Sequence, residues 1–183
     1  MSARLEKSAG DPASDADVVA AARTGDMPAL GILYGRYASA LLATAYRLLY
    51  SREDAEDVVH DVFARLPEAL RKFREPGNLP AWLKRVTVRV ALSRQRADAA
   101  RPSGALDDQI AARSHDLHAA MSLRQAVAEL NPALRAVLVL KEIEGFSHSE
   151  VADLLDISVG TSEVRLHRAM RALRTSLEQR EGS

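Results

Sequence analysis

The sequence contains no cysteine, which excludes disulfides, thiolate metal sites and cysteine nucleophiles together. Aromatic residues are scarce at 4%, with a single Trp, although 47% of the chain is hydrophobic. Ala, Leu and Val supply most of that apolar content, a composition that favours packed helices over a sheet sandwich. Neither charge sign is in excess, since 25 Lys+Arg meet 25 Asp+Glu. Any electrostatic function must therefore come from how charge is distributed along the chain. No apolar run approaches the roughly 20 residues that span a bilayer, and the opening "MSARLEKSAGDPASD" lacks the apolar core of a signal peptide. We expect a soluble, cytoplasmic protein with no membrane association. Its 183 residues suffice for one medium domain or two small ones.

Residues 1–14 are small and polar and read as a flexible lead-in. Ser14 is placed to cap a helix reaching about Arg23, which Gly25 ends. Asp26 opens the next helix, with Pro28 in its first turn, and the pattern runs to about Tyr50. Gly31 and Gly35 weaken that helix, so we expect close backbone packing there as compensation. Ser51 opens "SREDAEDVVHDVFARLPEALRKF", with Asp54 at the capping-box position. At 100° per residue Val58, Val59, Val62, Phe63 and Leu66 share one face, while Glu56, Asp57, His60 and Asp61 lie opposite. The stretch "AWLKRVTVRVALSRQRADAAR" alternates locally like a strand. Leu79, Trp82, Val86 and Val90 nonetheless share a helical face, and a lone strand would have no partner, so we read helix. Residues 98–118 hold Pro, Gly, Ser and paired acids and read as a flexible linker. Beyond it we expect helices only: about 119–129, one capped by Asn131 and stopped by Gly145, and two more, the first opened by a Ser147/Glu150 capping box.

The last two helices have the lengths of a helix-turn-helix: "SEVADLLD", a tight "ISVG" turn, then a longer basic helix. Ser158 is the natural cap of the second, and Gly160 removes bulk from its first turn. Leu166, Ala169, Met170, Leu173 and Leu177 fall on one side, with Ser162 at its edge. Thr161, Val164, Arg168 and Arg171 centre the other, flanked by Arg165 and His167. Such a helix can pack its apolar side on its own domain and present the far side to base edges and phosphates in a major groove. Val164, apolar within a charged face, suits a thymine methyl. The blander reading is the last helix of a bundle, with solvated arginines and an ordinary exposed valine.

A second basic cluster, Lys84, Arg85, Arg89, Arg94, Arg96 and Arg101, is opposed in sequence only by Asp98. With Lys72, Phe73, Arg74 and Trp82 nearby it could follow a nucleic-acid backbone. Trp82 sits on the apolar face and reads better as a core anchor. The acidic face around Glu56, Asp57 and Asp61 repels DNA; it is either a solvated face or a dock for a basic protein. Catalysis finds no support. There is no glycine-rich phosphate loop, and His115 and His118 have metal-pair spacing but stand in the linker with only Asp116 nearby. Asp153 and Asp156 read as a helix end. We expect no enzyme activity, cofactor or metal.

In order along the chain, "GDMPALGILYGRYASALL", "AEDVVHDVFARL", "AWLKRV", "LNPALRAVLVLKEIEGFSHSEVADLLDISVGT" and "RLHRAMRALR" resemble bacterial extracytoplasmic-function (ECF) sigma factors. The resemblance implies an all-α chain of two small helical domains joined by a flexible linker. A sigma region 2 domain would span 15–97 and a region 4 helix-turn-helix domain 119–180, without the intermediate region 3. It also implies binding to RNA polymerase core and promoter DNA. Glu56, Asp57, His60 and Asp61 would dock on the clamp helices of β′, with the β subunit also in contact. Phe73, Arg74, Asn78, Lys84, Arg85 and Arg89 would meet the −10 element and help capture an extruded base. Thr161, Glu163, Val164, Arg165, His167, Arg168 and Arg171 would read the −35 element. An anti-sigma factor is a further implied partner.

Some positions depart from the family pattern. His60 stands where a Gln is usual; Arg89 and Ser93 replace an Asn and an Asp, making that region more basic. Ser162 and Glu163 follow Gly160-Thr161 where Val-Lys or Val-Arg is common, and Glu163 could accept from a cytosine amine. Two other readings stay open from sequence: a helix-turn-helix regulator acting without polymerase, and a helical adaptor with no nucleic-acid role.

Overall fold

In a computed structural model the described residues are 14–74, 78–99 and 123–181. They form helices with no strand among them, so the Val-rich stretch at 85–90 is helical. Residues 1–13 of the expected lead-in and the linker from residue 100 onward, with Arg101, His115 and His118, lie outside the described residues.

Local signals place most helix ends. Helix α1 spans Asp15–Ala22, and the Ser14 side chain accepts from the Asp17 amide. Gly25, at φ 86°, makes the turn into α2, Met27–Leu49. There Asp26 caps the chain by accepting from the Ala29 amide at 2.8 Å. Arg23 Nε donates to the Leu70 carbonyl at 2.9 Å and a second guanidinium nitrogen to that of Phe73, tying the end of α1 to that later stretch of chain. Tyr37 hydrogen-bonds Asp15; burial first, then that bond, pushes its hydroxyl up to about 12.

Ser51 caps α3, Arg52–Ala64, and α4 follows at Leu66–Lys72. What reads as a single segment is broken at Arg65, because Pro67 in the first turn of α4 carries no amide hydrogen and cannot continue the helix before it. Helix α5, Leu79–Ala99, runs two residues into the stretch assigned to the linker. Its buried apolar residues are Leu79, Leu83, Val88, Ala91 and Leu92, with Trp82, Val86 and Val90 half-buried beside them. Thr87, fully buried, satisfies its hydroxyl on the Leu83 carbonyl. Around Leu33, Leu41, Val59, Val62, Leu66, Leu70, Leu79 and Leu83, α1–α5 close one apolar core.

The second helical group holds α6 (described from 123 to 129), α7 (Pro132–Leu138), α8 (His148–Leu155) and α9 (Val159–Glu181). Between α7 and Gly145 the chain widens into a π-helical turn, Val139–Ile143, which no sequence pattern announced. Its core is not separate. One apolar cluster runs from Ala45, Leu48, Val58 and Val88 into Val137, Val139, Leu140, Val151 and Leu173, so the two domains are packed together. At this boundary Tyr50 ends α2 with φ 54°, a left-handed conformation unfavourable for an aromatic residue. The buried Arg135 guanidinium stacks 5.0 Å from its ring and donates to the Ala128 carbonyl at 2.6 Å.

One expectation about glycine is corrected. Around Gly31 and Gly35 there is open space where a Cβ would point, so no close backbone packing compensates for them; the space beside Gly160 is open as well.

Candidate functional site

The turn before α9 is built by two capping devices. In α8, Ser147 and Glu150 complete a reciprocal capping box, and Asp156 leaves the helix at φ 57°. Ser158 then accepts from the Thr161 amide at 3.0 Å, with its hydroxyl 2.8 Å from that of Thr161. Ser162 is wholly buried and meets His148 Nδ1 at 2.9 Å, pinning the first turn of α9 against the start of α8. Small residues make that approach possible: Ser162 and Ala169 are both at 0% exposure, and Leu173 is buried below them.

Among the described residues, nothing covers the opposite side of α9. Val164 is 50% exposed, and Glu163, His167, Arg168 and Arg171 are exposed around it, with Thr161 and Arg165 half-buried at the edges. Arg168, Arg171 and Arg174 make no ion pair among the described residues. Arg168 and Arg171 line a shallow groove with Leu134, Thr175 and Ser176. Met170, expected on the inner face, is 52% exposed. Its position, about 100° round the helix from Ala169, turns it off the stripe that Ala169 and Leu173 bury.

On α3, Asp57, His60 and Asp61 are exposed and Glu56 is half-buried. This acidic face is partly neutralised from within the chain. Arg52 meets Glu56 at 2.8 Å, Arg65 approaches Asp61 only to 3.9 Å, and Arg94 of α5 bridges Asp54 and Asp57 at 2.8 Å each.

The remaining basic candidates divide. Arg74, Asn78 and Arg89 are exposed. Phe73 is not: at 4% exposure it packs on Trp82, ring centroids 4.9 Å apart, so it anchors the core and cannot offer its ring to a ligand. Lys84 and Arg85 reach surface positions, yet both are held by the second domain. Lys84 Nζ lies 3.0 Å from Glu144, and Arg85 pairs with Glu150. The Glu150 carboxyl is held below its ordinary range, first by the Ser147 amide, then by the Ser147 hydroxyl and Arg85. Its contribution to stability is thus present above the unfolded-state value and is lost as pH falls through the lowered one.

Sequence reasoning found the basic candidates but missed their counter-charges. Glu144 and Glu150 are separated from Lys84 and Arg85 by 60 and 65 positions, and no local motif connects them.

Residues 33–101 match the family model for sigma-70 region 2, and residues 120–173 match that for sigma-70 region 4. The ECF RNA polymerase sigma factor SigE of Mycolicibacterium smegmatis is 32% identical over 167 residues, covering 84% of this chain and 65% of that protein. SigM of Mycobacterium tuberculosis, also an ECF RNA polymerase sigma factor, is 30% identical over 162 residues, covering 87% of this chain and 83% of its own length. Among solved structures, the sigma factor RpoE from Bartonella quintana, in complex with the anti-sigma factor NepR, superposes with a TM-score of 0.58. It is 25% identical and covers 76% of this chain and 91% of that one.

Proposed function

This chain belongs to the ECF sigma factors of the sigma-70 family, and on that footing we propose that it directs RNA polymerase core to promoters through two separate faces. The acidic face of α3, with Glu56, Asp57, His60 and Asp61, docks on the β′ clamp helices. The outer face of α9 lies in the major groove of the −35 element, where Arg168 reads a base edge, Arg165 and Arg171 reach edges or phosphates, and Val164 meets a thymine methyl. Arg74, Asn78, Lys84, Arg85 and Arg89 approach the −10 element. The chain works in the cytoplasm as a recognition subunit, and the chemistry of RNA synthesis stays with the core. An anti-sigma protein is a further partner, as for the RpoE relative.

The observation that carries this reading is the two-sidedness of α9. Ser162, Ala169 and Leu173 are buried, while Val164 and Arg168 of the same helix stand in solvent. Had Val164 and Arg168 faced inward, the helix could not read DNA.

The test is run-off transcription with purified core, followed by mapping of the start sites. The expected result is promoter-directed RNA only when the protein is added. Replacing Asp57 and Asp61 with Lys should abolish core binding and leave binding to an isolated upstream duplex intact. Loss of DNA binding with retained core binding would reverse the assignment. DNA binding that is indifferent to salt would also count against it, because phosphate contacts weaken steeply as salt rises.

A further inference from the structure

Helix α4 does not end where its local signals put the end. The nearest stop in the sequence is Pro76, which disfavours helix only at the residue before it, leaving Phe73 and Arg74 free to continue the helix. The chain instead turns extended at Phe73, with φ −75° and ψ 125°. The cause lies 47 and 50 positions away in the sequence. Arg23, the C-cap of α1, sends Nε to the Leu70 carbonyl at 2.9 Å and a second guanidinium nitrogen to the Phe73 carbonyl. The last carbonyls of a helix have no partner within it, and a cation there also suits the helix dipole. A rigid planar fork can hold both carbonyls at once, whereas a lysine ammonium is a single point donor on a flexible stem.

The rest of the brace is built around this fork. At its other end α1 is secured to α2, where Asp15 accepts from Arg36 at 2.7 Å and from the Tyr37 hydroxyl. Val18, Val19 and Ala22 are buried between the two ends. The buried Phe73 ring meets Trp82 in the first turn of α5, and Leu79, which opens α5, is fully buried. Phe73 and Leu79 are thus the fixed roots of the connection from α4 to α5. The exposed Arg74 and Asn78 each stand one residue from a root. We infer that Arg23 is a positioning residue for the −10 contact: from α1 it sets the direction in which Arg74 leaves the core, with Asn78 held beside it through Phe73 and Trp82. The inference rests on the proposed function, which gives Arg74 and Asn78 to the −10 element. Arg23 is half-buried and directs two of its nitrogens at carbonyls of the protein, so it acts through the backbone and not as a DNA contact. Side chains held in place beforehand bind without the cost of being ordered.

The test uses holoenzyme assembled from the full chain and core, with a single-stranded oligonucleotide carrying the −10 sequence of a promoter mapped by run-off transcription. Arg23→Met removes both donors and should weaken that binding by about tenfold, because Arg74 and Asn78 must then be ordered on binding. Core affinity and binding to the upstream duplex should not change. This split separates positioning from a fold defect, since Val59 and Val62 of α3 share the apolar core of Val18 and Val19, and a loosened domain would lose core binding as well. Arg23→Lys keeps the charge but not the fork and should fall between Met and the unaltered protein. Asp15→Ala frees the far end of α1 and should weaken the same step by less, while Thr24→Ala, at an exposed neighbour, should change nothing. Unchanged oligonucleotide binding in both Arg23→Met and Asp15→Ala overturns the proposal. So does full restoration by Arg23→Lys, which would make charge alone sufficient, and so does a parallel loss of core binding. If replacing Arg74 and Asn78 together with Ala left oligonucleotide affinity unaltered, the −10 assignment beneath the proposal would fall instead.

Discussion

Helices α5 and α9 are both long and basic, at 21 and 23 residues, but their cations live differently. On α5, Lys84, Arg85 and Arg94 are each tied to carboxylates from other helices. On α9, Arg168, Arg171 and Arg174 stand exposed without an ion pair among the described residues. The difference lies in the neighbours. Helix α5 is sandwiched, with α2 and α3 on one side and α8 against another; α3 brings Asp54 and Asp57 within reach, α8 brings Glu150, and the end of the π-helical turn brings Glu144. Helix α9 buries one stripe and, among the described residues, has no helix opposite. A run of positive charge becomes a binding face only where the fold leaves it uncompensated.

The strongest way to break this comparison is to attack the buried stripe of α9. Leu173→Ala removes a core side chain at 8% exposure and should cost about 2–5 kcal/mol of stability, read by urea unfolding. DNA binding would then fall only because the domain unfolds. Arg168→Ala should do the reverse, with stability unchanged and binding to the upstream duplex weaker by about 1–3 kcal/mol. If Arg168→Ala destabilised the fold instead, the two faces would be misassigned. Smaller again is Arg94→Ala. It deletes two partly exposed pairs and should cost about 1 kcal/mol of stability. It also frees Asp57, so binding to polymerase core should tighten at low salt. A loss of core binding would mean that Arg94 positions the acidic face instead of masking it.

How far each feature was readable from sequence follows the range of the interactions that make it. The caps at Ser14, Asp26, Ser51, Ser147 and Ser158 involve residues three apart, and all were legible. So was the inner stripe of α9, apart from Met170, because helical periodicity is local. The fate of Phe73 was not: an aromatic beside a basic loop looks like a ligand contact until α5 brings Trp82 over it. Nor was the packing of one domain on the other, since Glu144 meets Arg47 across 97 positions through a π-turn without a sequence signature. The order of the motifs carried the family resemblance, and the motifs are local too.

Glycine offers the finest test of the comparison. Gly31 and Gly35 interrupt α2, and Gly160 stands in the first turn of α9; none has a neighbour where a Cβ would go. In the protein alone, Ala at any of the three should stabilise by about 0.4–1 kcal/mol, by narrowing the unfolded chain's freedom without a clash. Thermal unfolding should show a small rise for each. DNA binding should separate them. Gly31→Ala and Gly35→Ala lie away from the proposed groove face and should leave it unaltered. Gly160→Ala adds a methyl where the start of α9 would approach a phosphate, and a glycine without a structural reason is what a close backbone approach to a ligand needs. It should therefore gain stability and lose affinity for the upstream duplex. If Gly160→Ala gained stability at no cost in affinity, the open side of α9 would have to meet DNA further along, around Arg168 and Arg171, with its first turn lifted clear of the groove.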